Sequence, residues 1–305
     1  MSSTFGTLSK ARLMSSFVTR LIKAPSVSLT SRAVPDREVV QVPTRHGSVR
    51  CYVTRPAAGA PLAAGDTAPP VVINFHGGGF IIGNPLQDDH LVRGIAGEVG
   101  SVVINVDYSV SPRVRFPHAL EQGFDVLEWV ASSGPGMGWD GGRIALSGAS
   151  AGGNLALGVL TLAGRENGPV VRTAVLIVPA VDQTLTPDQL ESPLEKPFVN
   201  AGLLKMVDVA YLDEETDRED PLVSPAFLGD ELNAFPPLLV FTAEYDTFRP
   251  FIDSFVDDAR TRGVTVDQRM FEAVDHGFYY DRSTPEPVLR SLMASIRDHL
   301  LTQLR

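Results

Sequence analysis

The chain has a single cysteine, no long apolar run and a shortage of positive charge. Cys51 alone cannot form an intramolecular disulfide, and no zinc cluster can be built from thiolates, so its expected place is a strand core. Nowhere do about 18 apolar residues follow one another, and near the start no apolar segment of secretory length separates the charges, which argues against a spanning helix. The 26 Lys and Arg are outnumbered by 36 Asp and Glu, and a net charge of −10 argues against general affinity for nucleic acid. There is no G-x-x-x-x-G-K-[ST] loop, no G-x-G-x-x-G opening the first strand–helix unit and no zincin-spaced histidine pair. Neither a nucleotide cofactor nor a catalytic metal is therefore expected. Repeats of 20–50 residues are also lacking, which removes solenoids and propellers.

What is present is the composition of an ordinary globular protein of 305 residues, 44% hydrophobic and 20% charged, long enough to bury one large core. Charge is unevenly spread. Residues 1–50 hold eight Lys/Arg against Asp36 and Glu38, a balance of +6 that leaves −16 for the remainder. From Met1 to Pro35 there is no acid at all, the composition of an organellar transit peptide, which a mobile cap helix fits equally well. The reading adopted is a soluble cytoplasmic protein, with a transit peptide as the lesser alternative.

Strand and helix signals alternate along the chain. β-rich runs fall at 38–42, 48–54, 71–75, 102–106, 143–146, 173–178, 238–242 and 264–271. The central ones are almost wholly apolar, as strands covered on both faces must be. Helical stretches fall at 88–99, 118–131, 151–165, 250–262 and 285–304. The last carries Val288, Leu289, Leu292, Ile296 and Leu300 on one face. The pattern predicts a doubly wound α/β sheet of about eight strands. Residues 56–70 read as an inert Pro/Gly/Ala surface connection. Residues 185–222 are long for a crossover; they contain a helical piece at 201–212 and an acidic run at 213–220. Long insertions on such sheets often cover the site. The acidic run lacks the spacing and central glycine of a calcium loop and reads as solvated.

Gly148-Ala149-Ser150-Ala151-Gly152 fits G-x-S-x-G between a strand and an Ala/Leu-rich helix, the context that gives the motif its meaning. On that sharp turn the serine stands above the strand ends, at a helix N-terminus that favours developing negative charge. A serine nucleophile needs a base and an orienter, which on this kind of sheet follow it in the order Asp/Glu, His. His276 lies in a loop after the last strand, whereas His299 sits in the terminal helix and reads as a solvated face. Asp246 ends the seventh strand. Glu244 and Asp275 are its rivals, but Asp275 adjoins His276 and is expected to point away. His76-Gly77-Gly78-Gly79-Phe80 follows the third strand, where an oxyanion-hole loop supplies unobstructed amides, with His76 bracing it.

Taken together, the chain resembles the hormone-sensitive lipase-like esterases of the α/β-hydrolase fold, bacterial lipolytic family IV, from about residue 36 onward. The resemblance rests on HGGGF at 76–80, DYSVSP at 107–112 before Phe116-Pro117, GASAGG at 148–153, DPLVSP at 220–225, and the Asp246 and His276 segments. It implies an eight-stranded, mostly parallel sheet flanked by helices, with residues 36–184 and 223–305 as core and residues 1–35 and 185–222 as a helical cap. It further implies Ser150 as nucleophile, His276 as general acid/base, Asp246 as its orienter and the amides of Gly77, Gly78 and Ala151 as oxyanion hole. The ligand would be a small-molecule ester, with no cofactor, and dimers joined at a sheet edge are common in such families. Ala149, Ser109, Arg113 and Thr247-Phe248 depart from the family's motifs. None removes a catalytic atom, but Ala149 and Arg113 bear on the polar network around the elbow.

The expected activity is a carboxylesterase acting through an acyl-enzyme on short to medium acyl chains, since no long apolar surface suggests action on lipid droplets. Alternatives on the same fold are an acyltransferase, a lyase or dehydratase, and a non-catalytic small-molecule receptor. Pocket depth is expected to depend on the cap, where Phe5, Leu8, Leu13, Met14, Phe17, Phe198, Leu203, Leu204 and Met206 are candidates for lining or packing.

Overall fold

A computed structural model describes residues 2–17 and 23–305, with side chains from 6–13 and from 23 onward; Phe5, Met14 and Phe17, named above as candidate lining, lie outside those side chains. Eight strands form one sheet: β1 (Glu38–Thr44), β2 (Gly47–Thr54), β3 (Val71–Phe75), β4 (Val102–Asp107), β5 (Ile144–Ala149), β6 (Val171–Ile177), β7 (Leu238–Ala243) and β8 (Val266–Phe271). Their order is β1-β2-β4-β3-β5-β6-β7-β8. β2 runs antiparallel to β1 and β4, and every other pairing is parallel. Each run expected from the sequence is a strand.

Seven helices accompany the sheet among the described residues: α1 (Ser2–Phe17), α2 (Asp89–Glu98), α3 (His118–Met137), α4 (Ala151–Arg165), α5 (Ala201–Tyr211), α6 (Arg249–Thr261) and α7 (Glu286–Gln303). None is long and apolar enough to cross a membrane. The central strands β3, β5 and β7 are buried along their whole length, as strands sandwiched between helices must be. Cys51 is fully buried in β2, where burial pushes its thiol up to about 12. α7 buries Leu289, Leu292, Met293, Ile296 and Leu300, the face its periodicity predicted, with Val288 half-buried beside it.

One expectation is refined and one is corrected. The 56–70 connection is docked: Ala57 and Ala60 are buried, and the amides of Ala57 and Leu62 donate to the carbonyls of Ala96 and Val99 at 3.1 and 2.9 Å. His299 is half-buried, with Nε2 2.6 Å from Thr173 Oγ1, and burial lowers its pKa.

Because β3 pairs with β4 on one side and β5 on the other, the chain leaves the sheet in opposite directions after β3 and β5. A crevice opens at their carboxyl ends, where ligands bind in open α/β folds. The loop after β3 is 76–80 and the turn after β5 carries Ser150. The loops after β7 and β8 carry Asp246 and His276. Over this edge lies α5, with α1 packed against it.

Candidate active site

Ser150 has φ 54° and ψ −117°, a conformation that costs on the order of 1–3 kcal/mol for a non-glycine residue. The surroundings hold it there. Its amide donates to Ile177 O at 2.9 Å, and its carbonyl accepts from the amides of Asn154 and Ala180, each at 3.1 Å. Asn154 Nδ2 in turn donates to Ala180 O at 2.8 Å and Val223 O at 2.9 Å. The elbow therefore needs no polar side chain at position 149, and Ala149 is simply buried. Both flanking glycines are required by contact. A Cβ on Gly148 would strike Gly152 O, and one on Gly152 would strike Phe75 O and lie 2.6 Å from His76 O.

Asp246, His276 and Ser150 form one line. His276 Nδ1 is 2.8 Å from Asp246 Oδ2, and Nε2 is 2.7 Å from Ser150 Oγ. The imidazole and carboxylate side chains are 2% and 0% exposed. An ionised carboxylate can only accept, which places the proton on Nδ1 and leaves Nε2 to accept from the serine. Asp246 Oδ1 accepts from the Phe248 amide at 2.9 Å, which fixes the carboxylate plane. The rivals are engaged elsewhere: Glu244 accepts from Ala273 N, and Asp275 accepts from His276 N and Phe198 N.

The 76–80 loop approaches the elbow so closely that side chains are excluded. A Cβ on Gly77 would meet the Tyr279 hydroxyl and lie 3.2 Å from Ala149 O, and Gly78 has φ +128° with Ile82 O at 2.7 Å from a Cβ position. His76 is buried below it, its ring stacked on Tyr108 at 4.2 Å, and Tyr108 Oη donates to His76 O at 2.7 Å. Burial pushes His76 down to about 4, a neutral brace. Gln87, which no motif signalled, donates from Nε2 to Gly77 O at 3.1 Å. Ala151, at the first turn of α4, has no helical acceptor for its amide.

Behind the loop, Asp88 is 2% exposed and burial pushes it up to about 7. Asn74 Nδ2 donates to its Oδ2 at 3.3 Å, while Oδ1 has no hydrogen-bond partner among the described residues. His90 is nearby in the chain; its Nε2 meets Tyr279 O at 2.7 Å and burial pushes it down to about 4.

In front of the serine is a cavity of about 380 Å³. Its floor is Ser150, His276 and Gly78. Phe198, Leu203, Leu204 and Met206, four of the candidate lining residues, contribute to its walls; Leu8 and Leu13 do not. Phe248, Tyr279 and Tyr280 complete the apolar side and were not foreseen, since nothing in their spacing distinguishes lining from packing. Among the described residues no group of three or more His, Cys, Asp or Glu is placed to hold a metal ion.

A serine on a strained strand-to-helix turn, an aligned histidine and aspartate, and a glycine loop at the sheet's switch point define an α/β-hydrolase. The family model described as alpha/beta hydrolase fold matches residues 72–280, and the chain belongs to this family, in its hormone-sensitive lipase-like branch. An arylesterase from Saccharolobus solfataricus is 29% identical over 229 residues, 75% of this chain and 74% of that protein. The esterase LipI of Mycobacterium tuberculosis is 29% identical over 68% of this chain but only 65% of its own length. Among solved structures, a hyperthermophilic esterase from Pyrobaculum calidifontis superposes with TM-score 0.80 at 29% identity, covering 98% of this chain and 91% of that one. A thermostable esterase from Pseudomonas putida gives TM-score 0.81 at 27% identity, over 97% and 90%.

Proposed function

We propose that this chain is a carboxylesterase that works through Ser150, His276 and Asp246. The observation that carries the reading is the unbroken hydrogen-bonded line from Asp246 through His276 to Ser150 Oγ, opening into a mostly apolar cavity. Ser150 Oγ attacks the ester carbonyl as His276 Nε2 takes its proton. The tetrahedral oxyanion is held by the amides of Gly77, Gly78 and Ala151, helped by the N-terminus of α4. His276 then protonates the departing alcohol, and water activated by the same imidazole hydrolyses the acyl-enzyme. Asp246 keeps the ring in its tautomer and stabilises the imidazolium. α1 and the 185–222 insertion act as the cap, with α5 as its wall over the serine. The preferred esters have short to medium acyl chains, in keeping with the size and enclosure of the cavity. Any homodimer would join outer strands of the sheet, β1 or β8.

The test is release of p-nitrophenol from an ester series by wild type and Ser150→Ala, alongside labelling by a serine-directed phosphonate. Wild type should turn over the short and medium esters and become labelled at Ser150. The substitution should cost on the order of 10⁴ to 10⁶ in kcat. Near-native turnover by Ser150→Ala would sink the triad. Labelling without hydrolysis, with ester exchange when alcohol is added, would replace the hydrolase by an acyltransferase.

A further inference from the structure

Next to the catalytic cavity lies a second hollow, an outer groove of about 710 Å³ between the 194–198 segment and the loops after β7 and β8. The two share Phe198 and Tyr280. Phe198 is 45% exposed, and of the exposed large hydrophobic side chains among the described residues it alone lines the catalytic cavity. Its ring stacks on His276 at 5.8 Å between centroids with planes 19° apart, and meets Tyr280 edge to face at 6.1 Å. Gly277 makes room for it: a Cβ there would lie 3.3 Å from Phe198 Cδ2.

The backbone of Phe198 is tied down by the same carboxylate that orients the histidine loop. Asp275 Oδ2 accepts from the Phe198 amide at 2.6 Å, and Oδ1 accepts from the His276 amide at 2.7 Å. One residue on, Val199 O accepts from Thr247 Oγ1 at 3.1 Å. The segment carrying the ring is thus anchored, and the ring rests against His276 and Tyr280 between the two hollows. On its inner side are Leu203, Leu204 and Phe248; on its outer side are Leu194, Val274 and Phe278. The groove also carries Lys196, Asp275, Asp281 and Arg282, so removing the ring would extend the catalytic cavity onto a strip of apolar side chains within a mixed lining.

We propose that Phe198 is the specificity-determining wall of this enzyme, closing the catalytic cavity against the outer groove and so limiting the length of alkyl chain an ester can carry. The proposal deepens the esterase reading and rests on it. An alkyl chain reaching the ring in wild type must bend or stop; without the ring it continues along the groove and gains apolar contact.

The experiment measures kcat/KM for p-nitrophenyl butyrate and dodecanoate with wild type, Phe198→Ala and Phe198→Trp. The dodecanoate-to-butyrate ratio should rise on the order of tenfold in Phe198→Ala, the discrimination an apolar pocket gives for a small change of length. It should fall in Phe198→Trp. Phe198→Leu, which keeps an apolar side chain on the latch, should raise the ratio in the same direction and decides the matter if the alanine protein does not fold. A ratio unchanged in every folded variant, with wild type active on butyrate, overturns the wall and leaves the esterase standing. Wild type inactive on both esters and unlabelled by phosphonate overturns the esterase reading, and the wall with it.

Discussion

Gly152 and Gly164 sit on the same helix and differ in what one methyl group would meet. At Gly152 a Cβ would strike the Phe75 carbonyl and crowd that of His76, both backbone atoms where β3 passes into the 76–80 loop. Backbone on a packed strand cannot yield cheaply, so Gly152→Ala should destabilise the protein by about 3 kcal/mol or more. Gly164 is exposed with nothing within 4 Å of its Cβ position, and Gly164→Ala should stabilise by about 0.5 to 1 kcal/mol through helix propensity. Urea unfolding of the two proteins checks both signs; a neutral Gly152→Ala would mean that the elbow can open without loss. Gly152, with Ser150, Asp246 and His276, was legible in the sequence because the chemistry fixes order and spacing along the chain. Gln87, Asn154 and Tyr279 were not. Each acts on the site through a backbone carbonyl or by close approach, and such contacts leave no mark in residue type or period.

The elements follow the same division. The central strands could be read from apolar, β-branched runs, because burial on both faces demands apolar side chains whatever the connections, whereas the outer strands β1 and β8 are half-exposed and carry mixed sequences. Helix ends moved by a residue or two, and α3 ran on from 131 to Met137 because its stop is the left-handed Gly138 and not the Ser-rich stretch before it. The insertion was visible as a length with a helical piece at 201–212, which is α5. Which of its side chains wall the cavity depends on tertiary contacts that periodicity does not carry. α5 is started by Asn200, whose side-chain oxygen accepts from Gly202 N at 3.0 Å and Leu203 N at 3.2 Å. Asn200→Ala should cost the helix about 1 kcal/mol. Read by hydrogen exchange, that is about fivefold faster exchange for peptides covering the first turn of α5, with β7 unchanged. Equal acceleration in β7 would show that the helix does not open independently of the sheet.

At the scale of the whole molecule, the acid side of the stability curve is set close to the active site. His76, Asp88 and His90 are all buried within one stretch of chain that runs from the 76–80 loop into α2. The two histidines are held down to about 4 by burial, so from about 6.5 to 4 the folded chain binds fewer protons than the unfolded one. Their contribution is lost as pH falls. Asp88 works in the opposite sense. Its unfolded value is near 4 and its folded value about 7, so in that window the folded chain binds more protons, and stability falls as pH rises until Asp88 is fully ionised above 7. The two slopes oppose one another, and the balance can be broken by one substitution. Asp88→Asn keeps an acceptor for Asn74 Nδ2 at nearly the same shape but never carries charge. The stability of Asp88→Asn relative to wild type should therefore increase between pH 5 and pH 8, by on the order of a few kcal/mol. Urea midpoints of both proteins at the two pH values decide it. A difference that stays constant with pH would mean that Asp88 is already ionised in the folded protein at pH 5, with its charge met by a partner.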